Sequence, residues 1–448
     1  MLALALAAAI VGAPAAGVSL AGEQWLYLYA PLVTLVLATR GMYQARLRVA
    51  VLDAIPPVFA ATSIAAMMVI SIDAVFSTPE PLGPLMARAW LFATCFLIGG
   101  RIVTGLGERW ALTRGRGGKP TLIVGAGVVG SEVAYGLATE ALYGLRPVGF
   151  LDADPPGSRV AAGRDALPVL GAPDDLAQVA SRTGAQHVVL AFSSAPDSEL
   201  IPIIRRCEEL RLGVSLVPRL FEAINERSVL EHVGPLPLLE LRGPNPKGWQ
   251  FAIKHLIDRV LAVIALLLCA PLLVGTALAI RLSSPGPVLF RQRRVGRDGT
   301  VFDLLKFRSM TIPTAAPGEF RPEPGSAPGG VEGEDRRTAV GRVIRRFSLD
   351  ELPQLANVLR GQMSIVGPRP ERPQFVEAFR ADEVRYQDRH RVKSGITGWA
   401  QVRGLRGQTS LAERVEWDNF YIENWSLWLD LKIMLLTVGQ VLRPGRDH

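Results

Sequence analysis

Asp350 and Glu351 are adjacent carboxylates in the run Ser348-Leu349-Asp350-Glu351-Leu352-Pro353-Gln354-Leu355, just after the basic run Arg342-Val343-Ile344-Arg345-Arg346. Proline lacks the N–H that an interior helical turn needs, so Pro353 must open the helix that follows. The two carboxylates then lie at a helix start, where free N–H groups and the helix dipole also favour phosphate. Carboxylates, arginines and a helix start suit metal-assisted phosphoryl transfer, with one carboxylate placed to attack phosphorus. Plain helix capping explains the same pair, and Ser348 to Glu351 spells a capping box. That box would push Pro353 to the fifth helical position, where its missing N–H breaks a bond, which counts against it. On this motif alone both readings stand.

The elements that must position this pair lie in three regions. The chain has 448 residues, 49% of them hydrophobic, with a net charge of +8 and a mean hydropathy of +0.25. Such an apolar, basic chain suits an anionic membrane surface or anionic substrates. The interleaved aromatic and basic residues of a nucleic-acid reader are missing, so no nucleic-acid partner is expected. Cys95, Cys207 and Cys269 are too dispersed for a disulfide framework or a zinc site.

Four apolar stretches occupy the first region, residues 1–112: Leu2–Leu20, Trp25–Leu37, Val51–Ile72 and Met86–Gly100. They predict four transmembrane helices. Arg40, Arg46 and Arg48 fall between the second and third, and Arg101, Arg109, Arg114, Arg116 and Lys119 follow the fourth. The positive-inside rule puts those loops, and everything after Arg101, in the cytoplasm. A fifth apolar run, Val260–Ile280, has basic residues on both flanks and Pro271 at its centre. Both flanks favour one side, so a helix broken at Pro271 that enters and leaves the same leaflet is expected over 254–284.

Residues 113–246 read as an α/β domain. Lys119–Val124 is a buried strand, followed by Gly125-Ala126-Gly127-Val128-Val129-Gly130 and a helical pattern over Ser131–Leu137. A second strand ends in Asp152. Strand, glycine turn, helix and a later acid form the dinucleotide fingerprint, so Gly125, Gly127, Gly130 and Asp152 are candidates for holding a nucleotide. Later strands at Gln186–Ala191 and Leu212–Val217 continue a parallel sheet. Tyr135 and Tyr143 are followed four residues on by Thr139 and Pro147, not lysine. The proton-transfer pair of short-chain dehydratases and epimerases is therefore missing.

Residues 247–448 contain the carboxylate pair. Arg297-Asp298-Gly299, between two apolar-alternating runs, reads as a hairpin turn. The second run brings Lys306 and Arg308, which with Arg369 of Gly367-Pro368-Arg369-Pro370 are candidates for binding an anionic substrate. Residues 311–334, rich in Pro, Gly and acid, read as a mobile loop. Trp399, Trp417, Trp425 and Trp428 fit either interfacial anchors or core.

With Gly395-Ile396-Thr397-Gly398-Trp399 and Glu423-Asn424-Trp425-Ser426-Leu427, these ordered motifs make the segment from Gln250 to Arg443 resemble the bacterial sugar transferases, monotopic polyprenyl-phosphate hexose-1-phosphate transferases. The whole chain resembles their larger members, which begin exopolysaccharide, capsule or O-antigen synthesis. The resemblance implies a helical transmembrane bundle, a Rossmann-like domain and a mainly helical catalytic domain with a re-entrant helix, at the bacterial inner membrane with catalysis facing the cytoplasm. It makes Asp350 the nucleophile that takes the sugar phosphate from a UDP-sugar and releases UMP. Glu351 becomes a Mg2+ holder, and Arg345 or Arg346 the cation for the transferred phosphate. Undecaprenyl phosphate is the implied acceptor, UDP-glucose or UDP-galactose the implied donor, and a homodimer the implied assembly. Two rival readings are a membrane-bound nucleotide-sugar dehydratase or epimerase, opposed by the missing Tyr/Lys pair, and a non-enzymatic nucleotide-sensing scaffold.

Overall fold

The computed structural model describes residues 1–11, 13, 26–43, 51–76, 82–114, 117–139, 143–162, 165–191, 197–218, 224–225, 227–233, 236–241, 243, 245–246, 248–311, 325–328, 335–383 and 385–442. It forms two units, Met1–Phe221 and Glu222–His448.

The first unit opens with α1 (Leu2–Val11), α2 (Leu26–Thr39), α3 (Ile55–Phe76) and α4 (Gly83–Thr113). Small residues one turn apart let these helices touch closely. Ala5 and Ala9, Ala61 and Ala65, and Ala89 and Ala93 are all fully buried. Polar contacts add to the packing: Thr62 Oγ1 and Thr94 Oγ1 are 2.9 Å apart, and Tyr29 Oη donates to the Thr62 carbonyl. Leu52–Phe76 and Gly83–Thr113 are long and apolar enough to cross a bilayer. As described, α1 and α2 have 10 and 14 residues. At ~1.5 Å per residue these described lengths fall short of a hydrocarbon core of ~30 Å, and residues 14–25, between α1 and α2, lie outside the described residues.

The same unit continues with β1 (Lys119–Val124), α5 (Val128–Thr139), β2 (Leu145–Leu151), β3 (Arg159–Ala162), β4 (Asp165–Gly171), α6 (Leu176–Thr183), β5 (His187–Leu190), α7 (Asp197–Glu209) and β6 (Gly213–Leu216). The strands form one sheet in the order β3-β4-β2-β1-β5-β6. All neighbours are parallel except β3–β4, an antiparallel edge hairpin that the sequence reading lacked. Leu122 and Val124 pack on one face of β1 and Ile123 on the other, as a doubly covered sheet requires.

The second unit begins with the hairpin β7 (Val229–Val233) and β8 (Leu236–Glu240), then α8 (Trp249–Leu268) and α9 (Ala270–Ser283). The last two form one apolar pair bent by 63° at Cys269. Pro271 is the second residue of α9, where its missing N–H costs no helical bond. Leu267, Leu268 and Leu282 are more than 70% exposed, the surface of a segment built for lipid. Lys254, Asp258 and Ala262, spaced one turn apart, form the buried face of α8.

Next come β9 (Leu289–Val295) and β10 (Val301–Phe307), the expected hairpin, with Asp298 and Gly299 at positive φ in its turn. The remainder is α10 (Ala339–Arg346), α11 (Gln354–Leu359), β11 (Ser364–Val366), α12 (Pro373–Asp382), β12 (Gly395–Thr397), α13 (Trp399–Val402), α14 (Leu411–Glu423) and α15 (Leu427–Leu442). Most of the 311–334 loop lies outside the described residues.

Candidate active site

Thr338 caps α10 by accepting the Gly341 N–H at 2.8 Å. A Cβ at Gly341 would come 1.8 Å from the Ser309 carbonyl oxygen, so glycine lets α10 lie flush on the chain leaving β10. The helix ends at Phe347, and Ser348 then takes a left-handed turn, φ 54° and ψ 23°. That conformation costs a non-glycine residue about 1 kcal/mol. Its side chain makes no capping bond, so the capping box does not form. Instead Leu349–Glu351 winds a single 3₁₀ turn, and Pro353 takes the N-cap position of α11. The sharp turn buries Asp350.

Glu351 Oε1 accepts from Lys306 Nζ at 2.9 Å and from Arg369 Nη2 at 3.2 Å. The carboxylate pair, the hairpin lysine and the Arg369 loop therefore converge. Burial works to protonate Glu351, but Lys306 and Arg369 outweigh it and hold the carboxyl well below its usual range. Asp350 behaves differently. Burial raises its pKa, Lys306 and Arg345 oppose that, and the neighbouring Glu351 charge adds to it; the net direction is upward. Two adjacent carboxylates thus differ in character because one is ion-paired and the other is buried beside a like charge.

Three other candidates separate by geometry. Arg345 lies within the field of Asp350, whereas Arg346 is exposed and sits over the Phe347 ring. Arg308 is buried, with Nη1 on the Pro285 carbonyl at 2.5 Å and Nη2 on the Ser284 carbonyl at 2.8 Å. It fastens the end of α9 to the hairpin and takes no place beside Lys306. The reason is local: β10 ends at Phe307, so the alternation that would place 306 and 308 on one face stops between them.

The support was largely invisible in the sequence. Asn357 of α11 donates to the Asp303 carbonyl at 2.7 Å and accepts from Leu305 N at 3.0 Å, fixing the carboxylate turn against the strand that carries Lys306. The Arg369 loop leaves β11 beside β12, where Gly367 N donates to Thr397 O and Gly395 N to Pro368 O, both at 2.9 Å. A Cβ at Gly395 would meet Gly367 N at 2.1 Å, so this crossing needs glycine. Below it, Arg389 donates to the Arg369 carbonyl at 3.2 Å while pairing with Asp418 at 2.8 Å, and Arg414 pairs with Glu371 at 3.2 Å. Arg406, in the turn between Gly404 and Gly407, also feels Glu351 and Arg369. Burial pushes its pKa down and Glu351 opposes that. Its signal was a lone arginine between two glycines, too weak to single out.

The site is coupled to the apolar anchor through buried ions. Lys254 Nζ pairs with Asp430 at 2.7 Å, Asp430 accepts from Tyr421 Oη at 2.7 Å and Trp425 Nε1 at 3.1 Å, and Asp258 accepts from Ser364 Oγ at 2.7 Å. Lys254, on the amino-terminal flank of the apolar run, is therefore spent on buried ion pairs with Asp430 and Asp258. Trp399 and Trp425 are core residues, while Trp249 at the head of α8 is 72% exposed.

Residues 249–444 match the sequence pattern of the bacterial sugar transferase family, and residues 38–218 that of a CoA-binding domain. The chain is 34% identical over 388 residues to the UDP-glucose:undecaprenyl-phosphate glucose-1-phosphate transferase of Xanthomonas campestris, covering 84% of this chain and 78% of that one. The chain belongs to the bacterial sugar transferase family. Two further relatives in this family are the Caulobacter vibrioides enzyme of the same name, 46% identical over 47% of this chain and 78% of its own, and the Salmonella typhimurium undecaprenyl-phosphate galactose phosphotransferase, 30% identical over 72% and 68%. This sugar transferase is an enzyme whose long apolar helices associate it with a membrane.

In the α/β domain the fingerprint has the expected strand–turn–helix setting. A Cβ at Gly130 would lie 2.0 Å from the Gly125 carbonyl oxygen, so this glycine serves close helix–strand packing. Asp152 accepts from Ala126 N at 2.6 Å and from Asp154 N at 3.0 Å. Oδ2 therefore holds the glycine turn to the end of β2, while Oδ1 closes the chain leaving that strand. The turn after β5, at 192–196, lies outside the described residues.

Proposed function

We propose that this enzyme transfers hexose-1-phosphate from a UDP-hexose to undecaprenyl phosphate in two steps through Asp350, the first membrane step in building a surface polysaccharide. The observation that carries the reading is the buried Asp350 beside an ion-paired Glu351, ringed by Lys306, Arg369, Arg345 and Arg406. Two carboxylates facing four cations leave net positive charge for a diphosphate. In the first step an Asp350 oxygen attacks the sugar-bearing phosphorus, the bond to the bridging oxygen breaks, and UMP leaves with that electron pair. In the second, an oxygen of the lipid phosphate attacks the same phosphorus and the aspartyl oxygen departs, regenerating the carboxylate. No base is needed, because both nucleophiles are anions.

Magnesium fits this donor set in one way. Among the described residues no three acidic, histidine or cysteine side chains converge. Both cations on Glu351 use Oε1, and a magnesium ion is commonly held by one or two carboxylates with substrate phosphates completing its shell. Glu351, through Oε2, would hold an ion that arrives with the diphosphate, and it would offset charge on the phosphate oxygens. UDP-glucose is the first donor to test, because the Xanthomonas and Caulobacter relatives are named for it. The anchor reading completes the proposal: α8 and α9 dip into the cytoplasmic leaflet and return, in the bacterial inner membrane, with the protein as a homodimer.

Purified enzyme given labelled UDP-glucose should release UMP before any lipid phosphate is added and retain the labelled sugar phosphate on Asp350. A strict requirement for both substrates before UMP appears would refute the covalent route, and an altered sugar with no UMP would favour epimerase or dehydratase chemistry. Tags before Lys254 and after Arg294 should report the same side; opposite sides would break the re-entrant reading.

A further inference from the structure

The six-stranded sheet has a second concave site at the edge opposite its glycine turn. At the amino-terminal ends of β1, β5 and β6 a cavity of about 450 Å3 is lined by Lys119, Gln186, His187, Arg211 and Gly213, among others. Its lining is mainly polar, and nothing in the transferase chemistry uses it. We propose that this cavity binds a phosphate group, carried by a soluble phosphorylated molecule or by a lipid headgroup.

Three observations carry the assignment. The first is Arg211, which stands at φ 54° just past the end of α7. The matching position after α6 is Gly184 at φ 64°, the residue such helix ends normally use. The chain thus holds an arginine at the mouth of the cavity in a conformation that favours glycine. The second is charge: among the described residues neither Lys119 nor Arg211 pairs with an acid. The third is His187. Its Nε2 is 3.0 Å from Ser215 Oγ, and a Cβ at Gly213 would come 2.4 Å from its Nδ1. Glycine at 213 therefore leaves Nδ1 uncovered, and Nδ1 has no partner among the described residues. Burial, with Lys119 second, lowers the His187 pKa, so the ring is neutral near pH 7. In the tautomer in which Ser215 Oγ donates to Nε2, the ring proton sits on Nδ1 and can donate to an anion. One imidazole N–H, one ammonium and one guanidinium are the donor set of a phosphate site. Either source of phosphate can reach it. Residues 114–118 alone separate the end of α4 from Lys119, a reach of at most about 22 Å from a helix long enough to cross a bilayer.

The chain has five histidines, so the full-length enzyme with carbon-13-labelled histidine rings gives a readable spectrum, with His187 assigned by His187→Gln. In phosphatidylcholine nanodiscs, titration with inorganic phosphate should shift the His187 resonance to saturation. Arg211→Gly should weaken that response about tenfold or more while leaving the melting temperature equal or higher, because glycine relieves the left-handed residue. Lys119→Ala should weaken it as well, and Arg369→Ala, in the catalytic unit, should leave it unchanged. Nanodiscs containing phosphatidylglycerol distinguish the sources. A His187 signal already at its bound position, and no longer responsive to phosphate, identifies the lipid headgroup; an unchanged titration identifies a soluble ligand. A His187 resonance unmoved by phosphate and by phosphatidylglycerol would overturn the proposal. So would an equal response in wild type and Arg211→Gly.

Discussion

The glycine turn of the α/β domain and the carboxylate turn at Asp350 are both short motifs at a helix start, yet they are built in opposite ways. At the first, the acid is consumed internally: Asp152 takes the N–H groups of Ala126 and Asp154 and ties the turn to β2. At the second, local rules are broken. Ser348 is held in a left-handed conformation, Asp350 is buried with its pKa raised, and lysine and arginine crowd Glu351. A region whose polar groups satisfy one another is a scaffold, whereas one whose charges are left in tension is where chemistry is expected.

Removing the charge that creates the tension should produce the largest effect. Asp350→Asn should lower turnover by about 10³-fold or more, since an amide is a poor nucleophile at phosphorus. The same change should stabilise the fold near neutral pH. Asp350 has a folded-state pKa above its ordinary 3.8, so the folded protein favours the protonated acid and loses stability as pH rises through that raised value. The amide carries no such penalty. Its advantage in melting temperature should shrink as the pH falls and vanish below 3.8, where the wild-type acid becomes protonated in both states. An inactive variant that melts lower than wild type at pH 7 would show that the turn needs the charge for folding, and the contrast would fail.

Lys306→Met tests how the pair is polarised. Lys306 lowers the pKa of both carboxyls, so its loss should raise both and move the acid limb of the rate–pH profile upward. Turnover should fall roughly 10- to 100-fold, in the range of lost charge stabilisation at a transferring phosphoryl group. A fall in rate with an unmoved acid limb would mean that Lys306 contacts substrate without tuning the acids.

How much of this could be read in advance follows from the distance in sequence between partners. Asp350, Glu351 and the proline that fixes their turn are contiguous, so the turn was legible. The hairpin with Arg297-Asp298-Gly299 and the break beside Pro271 were legible for the same reason. Asn357 bonds to strand residues more than 50 positions away, and Arg389 and Asp418 come from different elements, so no local pattern announces them. The edge strand β3, Arg159–Ala162, was missed because four residues with two alanines carry little strand propensity. Arg308 is spent on the Pro285 and Ser284 carbonyls, partners in another element that no pattern around residue 308 announces. The glycine fingerprint was legible as a fold but not as a site, since the pattern is the same whether Asp152 faces a ribose or its own backbone.

The smallest expected effect tests that last ambiguity. Asn at position 152 keeps one carbonyl acceptor but replaces the other oxygen with a donor, so it can satisfy Ala126 N–H or Asp154 N–H, not both. Losing one such bond should cost about 1 kcal/mol of stability in the α/β domain, read as a lower melting temperature for that unit. Transfer measured per folded molecule should stay within about twofold, because the reacting groups all belong to residues 306–406 and none to this turn. An Asp152→Asn variant that melts like wild type yet loses tenfold in transfer would reverse the comparison. Asp152 would then act on a ligand or on the coupling between domains, and the glycine turn would be a working site. If the melting temperature falls and the rate holds, the acid is a structural clamp, and the carboxylate turn at Asp350 carries the chemistry.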